Sequence, residues 1–197
     1  MIYDTPRIWL ASDWHFNHDR EFIWKARGFS SVEEMNEAIV RNHNAYVRPF
    51  DTVYVLGDCS LGGGDAQILA ENKALIERLN GQIHIIRGNH DTDRRVVMYE
   101  SCKNVVAPVL YADMIHYKGY HFYLSHYPTL TGNLEKESLK QCTCNLFGHT
   151  HQITNFHLDM PYMYHVGMDS HSCTPVLLDN AIEEMKMKVI ECLKEIE

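Results

Sequence analysis

The stretch that decides the reading is QIHIIRGNHD, residues 82–91. Its first half is a β-branched run. Gly88, Asn89, His90 and Asp91 are poor strand formers, so the strand stops where an amide, an imidazole and a carboxylate begin. A turn alone would account for that, and the segments around it must decide. RIWLAS (7–12) and TVYVLG (52–57) also read as strands. Between them SSVEEMNEAIVRNHNAYV (30–47) reads as a helix, capped by Ser30 or Ser31 with Glu33 or Glu34 three residues on. Val32, Met35, Ile39 and Tyr46 recur at near-helical spacing, and Pro49 ends the run. GGGDAQILAENKALIERLNG (62–81) reads as a loop, an Asp65 cap, a helix and a terminal glycine. The order β, α, β, α, β predicts a layered α/β domain with a substantially parallel sheet.

The second half changes character. NVVAPVL (104–110), MIHYKGYHFYLSH (114–126), CNLFGH (144–149) and MYHVGM (163–168) read as short strands, with YKGY as a hairpin turn between Ile115 and Phe122. TLTGNLEKESLK (129–140) is polar and reads as a surface excursion. DNAIEEMKMKVIECLKEIE (179–197) reads as an amphipathic helix with Ile182, Met185, Val189, Leu193 and Ile196 on one face. Its methionines read as core packing. No repeat or linker interrupts the chain, so one domain over 1–197 is expected.

Composition narrows the functional classes. The chain has 197 residues, 45% hydrophobic and 22% charged, enough for one sizeable core. A formal charge of -8 and the lack of any basic run disfavour binding to long nucleic acid. No apolar run approaches the ~20 residues of a membrane helix, and the N-terminus lacks the pattern of a signal peptide. Six cysteines without a CxxC pair suit a reduced, cytoplasmic protein, and Cys142 and Cys144 lie two apart, on one face if extended.

The strand ends carry the chemistry. Asp13 and His15 follow the first strand, Gly57 and Asp58 the second, and Gly88 to Asp91 the third. Ser125 and His126 follow HFYL, and Gly148, His149, Thr150 and His151 follow CNLF. Ligands of α/β sheets bind beyond the carboxyl ends of strands. Carboxylate, amide and imidazole groups suit Zn, Mn, Fe and related divalent ions. Asp13 and His15, like His149 and His151, are two apart and face one way if the chain stays extended. Seven candidates exceed the needs of one four-coordinate ion and match two ions sharing a bridging carboxylate. Each fragment alone is more often a turn or a surface histidine. All five together, each after an apolar run, are poorly explained that way.

These five blocks resemble the signature of the calcineurin-like metallophosphoesterases: Asp13-x-His15, Gly57-Asp58, Gly88-Asn89-His90-Asp91, Ser125-His126 and Gly148-His149-Thr150-His151. The DxHFxH form of Asp13 to His18 is similar to that of the small single-domain bacterial and phage members. Trp14 stands where a small or hydroxyl residue is usual, and GDCS lacks the acidic or aromatic residue of some relatives. Neither departure touches a ligand position. The resemblance implies a four-layer αββα sandwich of two mixed sheets flanked by helices. It implies two divalent ions (Mn, Fe, Zn, Ni or Co, with Mn the first to try in vitro). Asp13, His15 and His151 would hold one, Asn89, His126 and His149 the other, and Asp58 would bridge. A metal-bridging hydroxide would attack the phosphorus of a phosphodiester or phosphomonoester. His90 would assist the leaving group, with Asp91 steadying its ring. Asn17 and His18 are the expected substrate contacts, with His18 equally readable as orienting a ligand. Arg87 stays outside this set, and Trp14 and Phe16 read as core. His165 and His171 read as packing residues.

The expected partner is a small phosphoester or nucleotide, with no membrane; oligomeric state stays open. The alternative is a catalytically silent scaffold of the same fold that binds a protein. Such a scaffold should have lost ligands or the GNH histidine, and all are present here. A purely structural zinc site would favour cysteine ligands, and none of the seven candidates is a cysteine.

Overall fold

A computed structural model describes residues 5–131 and 138–194. Two mixed four-stranded sheets face each other, with helices flanking them. The first has the order β3-β2-β1-β8, from Gln82–Ile86 (β3), Thr52–Leu56 (β2), Ile8–Ala11 (β1) and Val176–Leu177 (β8). β1, β2 and β3 are parallel, and β8 runs antiparallel to β1. The second has the order β4-β5-β6-β7, from Ala112–Tyr117, Tyr120–Ser125, Thr143–Phe147 and Met163–His165. There β4 and β5 form an antiparallel hairpin, and β5, β6 and β7 are parallel. Lys118 and Gly119 turn the hairpin with φ of 51° and 81°, the left-handed pair that a two-residue turn requires.

Strand alternation builds two cores. Trp9, Ala11, Val53, Val55, Ile83 and Ile85 point to one face of the first sheet. They meet Met35 and Ile39 of α2 (Val32–Tyr46), Ile76 of α3 (Ala66–Ile76) and Met98 and Tyr99 of α4 (Asp93–Glu100). Leu10, Leu56 and Ile86 point the other way and pack on Phe122, Leu124, Leu146 and Tyr164 of the second sheet. Period-2 patterning thus makes each parallel strand apolar on both faces. Helix α5 (Leu178–Lys194) adds Ala181, Ile182 and Met185 to the inter-sheet core, while Met187 is exposed. The side chain of Leu193 and all of Ile196 lie outside the described residues, as do 132–137 of the surface excursion. Cys142 and Cys144 both join the inter-sheet core, 3.7 Å apart at Sγ, and no disulfide links cysteines among the described residues. No helix among the described residues is long and apolar enough to cross a membrane.

Four elements depart from the sequence reading. Helix α4 was not expected. It follows the GNHD turn directly, and its short DRRVVMYE pattern hides a buried arginine, Arg95. NVVAPVL forms no strand; it touches the first sheet only through single bridges, Ile83 to Val105 and Ile86 to Leu110, as Pro108 lacks the donor a ladder needs. The two-residue β8 and the four-residue α1 (Glu21–Trp24) are too short for periodicity to show.

Candidate metal centre

The carboxyl ends of β1, β2, β3, β5 and β6 meet at one end of the two sheets. The chain does not stay extended there. Asp13, His15, Asn17, Asp58, His149 and His151 all have φ between 49° and 66°. That left-handed conformation costs non-glycine residues roughly 1–2 kcal/mol each and clusters at functional sites. The alternation of left-handed residues, not extension, brings Asp13 and His15 to one place. Two glycines let the strands' ends close. A Cβ on Gly88 would lie 2.2 Å from Asp58 Oδ1, and one on Gly148 would lie 1.8 Å from Ser12 Oγ.

Two groups of donors result. In the first, His15 Nε2 and His151 Nε2 are 3.1 Å apart with the rings stacked, and Asp13 Oδ1 is 3.8 Å and 4.0 Å from them. In the second, Asn89 Oδ1 is 2.9 Å from both His126 Nε2 and His149 Nδ1. Asp58 lies between them. Its Oδ2 is 3.5 Å from His126 Nε2, 3.9 Å from His90 Nε2 and 4.0 Å from His15 Nε2.

The donor set fits divalent cations. His126 Nδ1 donates to the Leu56 carbonyl at 2.8 Å, so its Nε2 lone pair points at the Asn89 oxygen. His151 Nδ1 donates to Asp169 at 2.9 Å, so its Nε2 lone pair points at His15. Asp13 Oδ1 is fully buried with no hydrogen-bond partner. Lone pairs that converge in this way repel unless a cation lies among them. Burial, with Asp58 adding to it, raises the Asp13 carboxyl above its ordinary range. Burial, followed by nearby Arg27 and His151, holds His15 well below its ordinary value, in the neutral form a metal needs. Burial also works against charge on His151, but Asp169 and Asp13 outweigh it and raise the ring's pKa.

The other expected residues fall less uniformly. His90 is half-exposed at the rim, its N–H donating to Asp58 Oδ1 at 2.9 Å. Asp91 does not hold the His90 ring, contrary to expectation. Its Oδ2 accepts from the N–H groups of Asp58 and Gly88, both at 2.8 Å, and its Oδ1 from Cys59 N–H and the Tyr99 hydroxyl. The buried carboxylate is thus fully committed to the backbone that carries Asp58. Asn17 is held firmly beside His18. Its amide is tied to Asn36 of α2 at 2.7 Å and Asn72 of α3 at 2.8 Å, so it fastens the loop to the helices. His18 does reach the site, its ring 5.1 Å from His15, and burial followed by the field of His90 brings it down to about 4. Trp14 and Phe16 are core residues, as read, and His165 and His171 pack inside with hydrogen bonds. Cys59, beside Asp58, points into the core, where burial raises its thiol pKa, so it is no ligand.

Several site residues carried no signal in the sequence. Asp169 orients His151 and is clamped by Arg27 through Nε and Nη2, each at 3.0 Å. The same Arg27 donates to the Asp13 carbonyl at 2.8 Å, locking both neighbours of the first donor group. Arg95 donates to the carbonyls of His90 and Gly62. Each is a lone charge in a loop or short helix, and no spacing marks it.

The family model described as the calcineurin-like phosphoesterase superfamily domain matches residues 7–168. An uncharacterized protein of Methanocaldococcus jannaschii is 41% identical over 122 residues, 62% of this chain and 59% of that one. The match therefore spans less than two thirds of that relative. The Gene 66 protein of Mycobacterium phage D29 is 28% identical over 198 residues, covering 86% of this chain and 92% of its own. Among solved structures, a protein of unknown function, AQ665 from Aquifex aeolicus, aligns with a TM-score of 0.66 at 22% identity. It covers 91% of this chain and 99% of that one, which shows a shared fold.

Proposed function

The chain belongs to the calcineurin-like phosphoesterase superfamily, and from that premise we propose that it hydrolyses a phosphoester bond with two divalent cations. One observation carries the reading: Asp58 Oδ2 sits within 4.0 Å of imidazole nitrogens from His15, His90 and His126. A single carboxylate oxygen shared between two donor groups is what a dinuclear centre needs. Asp13, His15 and His151 would hold one cation, and Asn89, His126 and His149 the other, with Asp58 in reach of both groups. When bound, the pair supplies charge for the phosphoryl oxygens and acidity for a water.

The remaining work falls to the chain. His90 stands at the solvent side of Asp58, its backbone fixed at both ends by Asp58 and Arg95. Its ring would give a proton to the departing oxygen. Asp91 acts one step back, holding Asp58 through the peptide N–H groups it accepts. His18, neutral near pH 7, lines the approach on the other flank beside Arg20 and the Leu61–Gly63 loop. The partner we propose is a small phosphoester or nucleotide, since the site opens at the surface and the chain carries -8.

The test is direct. Protein loaded with Mn, Ni or Zn should bind two ions per chain by elemental analysis and hydrolyse members of a panel of phosphomonoesters and phosphodiesters. The panel also separates the two ester classes. Silence toward the whole panel with both ions bound would leave the scaffold reading in its place.

A further inference from the structure

A second cavity of about 550 Å³ adjoins the metal centre through Gly88 and Asn89 and is lined by Arg87, Asp93, Tyr111 and Tyr127. Its two tyrosines are the notable feature. Tyr111 is 75% exposed, yet it is held in place. Arg87 donates to its hydroxyl at 2.9 Å and lies along its ring, with the guanidinium carbon 5.4 Å from the centroid. Arg87 itself is anchored to the Asp91 carbonyl and to Asp93, both at 2.7 Å. Tyr127 is 50% exposed, and its ring lies 4.6 Å from His149 and 5.1 Å from His126. The β4–β5 register pairs Ala112 with Ser125, so Tyr111 and Tyr127 leave the open end of one hairpin beside the donor groups.

We propose that this cavity is a subsite for a planar aromatic ring carried by the substrate, with Tyr111 and Tyr127 as its specificity-determining residues. Exposed aromatic rings fixed in advance favour stacking, because little rotamer freedom remains to be lost. Charge argues against a second phosphate there. Arg87 is the one basic side chain among the described lining residues, and its three donor groups are all engaged. Asp93 adds negative charge at the rim. A neutral aryl or nucleoside ring fits such a wall, while a polyphosphate tail does not.

This inference rests on the phosphoesterase reading, and binding separates the two. Titration calorimetry on Mn-loaded protein would compare phenylphosphonate, methylphosphonate and cyclohexylphosphonate. Stacking on an aromatic side chain is worth about 1–3 kcal/mol, so phenylphosphonate should bind about 5- to 150-fold tighter than methylphosphonate and tighter than the cyclohexyl compound. Tyr111→Ala should cut that ratio several-fold, and Tyr111→Phe, which keeps the ring but not its bond to Arg87, should fall between the two. A nucleoside 5′-phosphonate beside the phenyl compound tells an aryl from a nucleoside preference. Equal ratios in wild type and Tyr111→Ala would overturn the subsite and leave the hydrolase reading standing. No metal-dependent phosphonate binding at all would overturn both.

Discussion

His90 and Asp91 are neighbours with separate tasks, and substitution should separate them. His90 is half-exposed, and its ring makes no hydrogen bond among the described residues, so His90→Asn removes proton transfer and little else. Turnover should fall about 10²- to 10⁴-fold, while bound metal and melting temperature stay near wild type. Asp91 accepts from Asp58, Cys59, Gly88 and Tyr99 in a buried place. Asp91→Ala leaves those donors unpaired, at a cost of about 2–4 kcal/mol. Metal content, stability and turnover should fall together in that variant, by elemental analysis, thermal melting and assay. A variant that loses only turnover would return Asp91 to the role of orienting the His90 ring. The letters GNHD disclose which side chains gather at a strand end, but not which way a carboxylate turns. The turn of Asp91 and the side-chain partners of Asn17 are not legible in the sequence for that reason. Their partners, Tyr99, Asn36 and Asn72, lie on helices whose approach no local spacing records.

At the scale of elements, strands and long helices were legible and short ones were not. The strand at 52–57 is observed as Thr52–Leu56, and the helix at 30–47 as Val32–Tyr46 with Ser31 as its cap. Both bury enough periodic apolar surface to dominate a window of sequence. Helix α4 spans eight residues and buries an arginine, so its pattern is too weak to stand out. Helix α2 also carries a consequence that its pattern does not show. It buries His43 against the edge of Trp14, with Nε2 2.9 Å from the Asn80 carbonyl, and burial brings the ring down to about 4. In the unfolded chain the same ring titrates near 6.5. Below that pH the unfolded state binds a proton that the folded state refuses until about pH 4. The stability that goes with neutral His43 is therefore complete above about pH 6.5 and is lost as pH falls toward 4, by on the order of 3 kcal/mol. His43→Gln keeps a donor for Asn80 without titrating. Urea unfolding between pH 7 and 4 should show a shallower acid loss in the variant, and parallel curves for the two proteins would refute the assignment.

The whole molecule joins two sheets through one site. Asp13, Asp58 and Asn89 end strands of the first sheet, and His126, His149 and His151 end strands of the second. Sequence patterning predicted each strand, but that two sheets bring these ends together came from the resemblance of the five blocks, since no periodicity encodes how sheets face. The arrangement ties cation binding to the stability of the sandwich. Without cations, burial, with Asp58 adding to it, raises the pKa of Asp13, and the His15 and His151 Nε2 atoms crowd to 3.1 Å. Cations that bind only the folded chain stabilise it by about 2.7 kcal/mol per site at a hundredfold excess over Kd. For a domain of this size that is worth about 5–10 °C in melting temperature for one site and up to about twice that for two. Thermal melts in EDTA and in excess Mn should differ by that amount. Sharing of Asp58 sets the order among variants. Asp58→Ala removes a donor from both groups and should abolish most of the metal-dependent rise, whereas His149→Ala removes a donor from one and should keep part of it. Equal losses in the two variants would mean that Asp58 serves a single ion, and an unchanged wild-type melt would mean that these donors hold none.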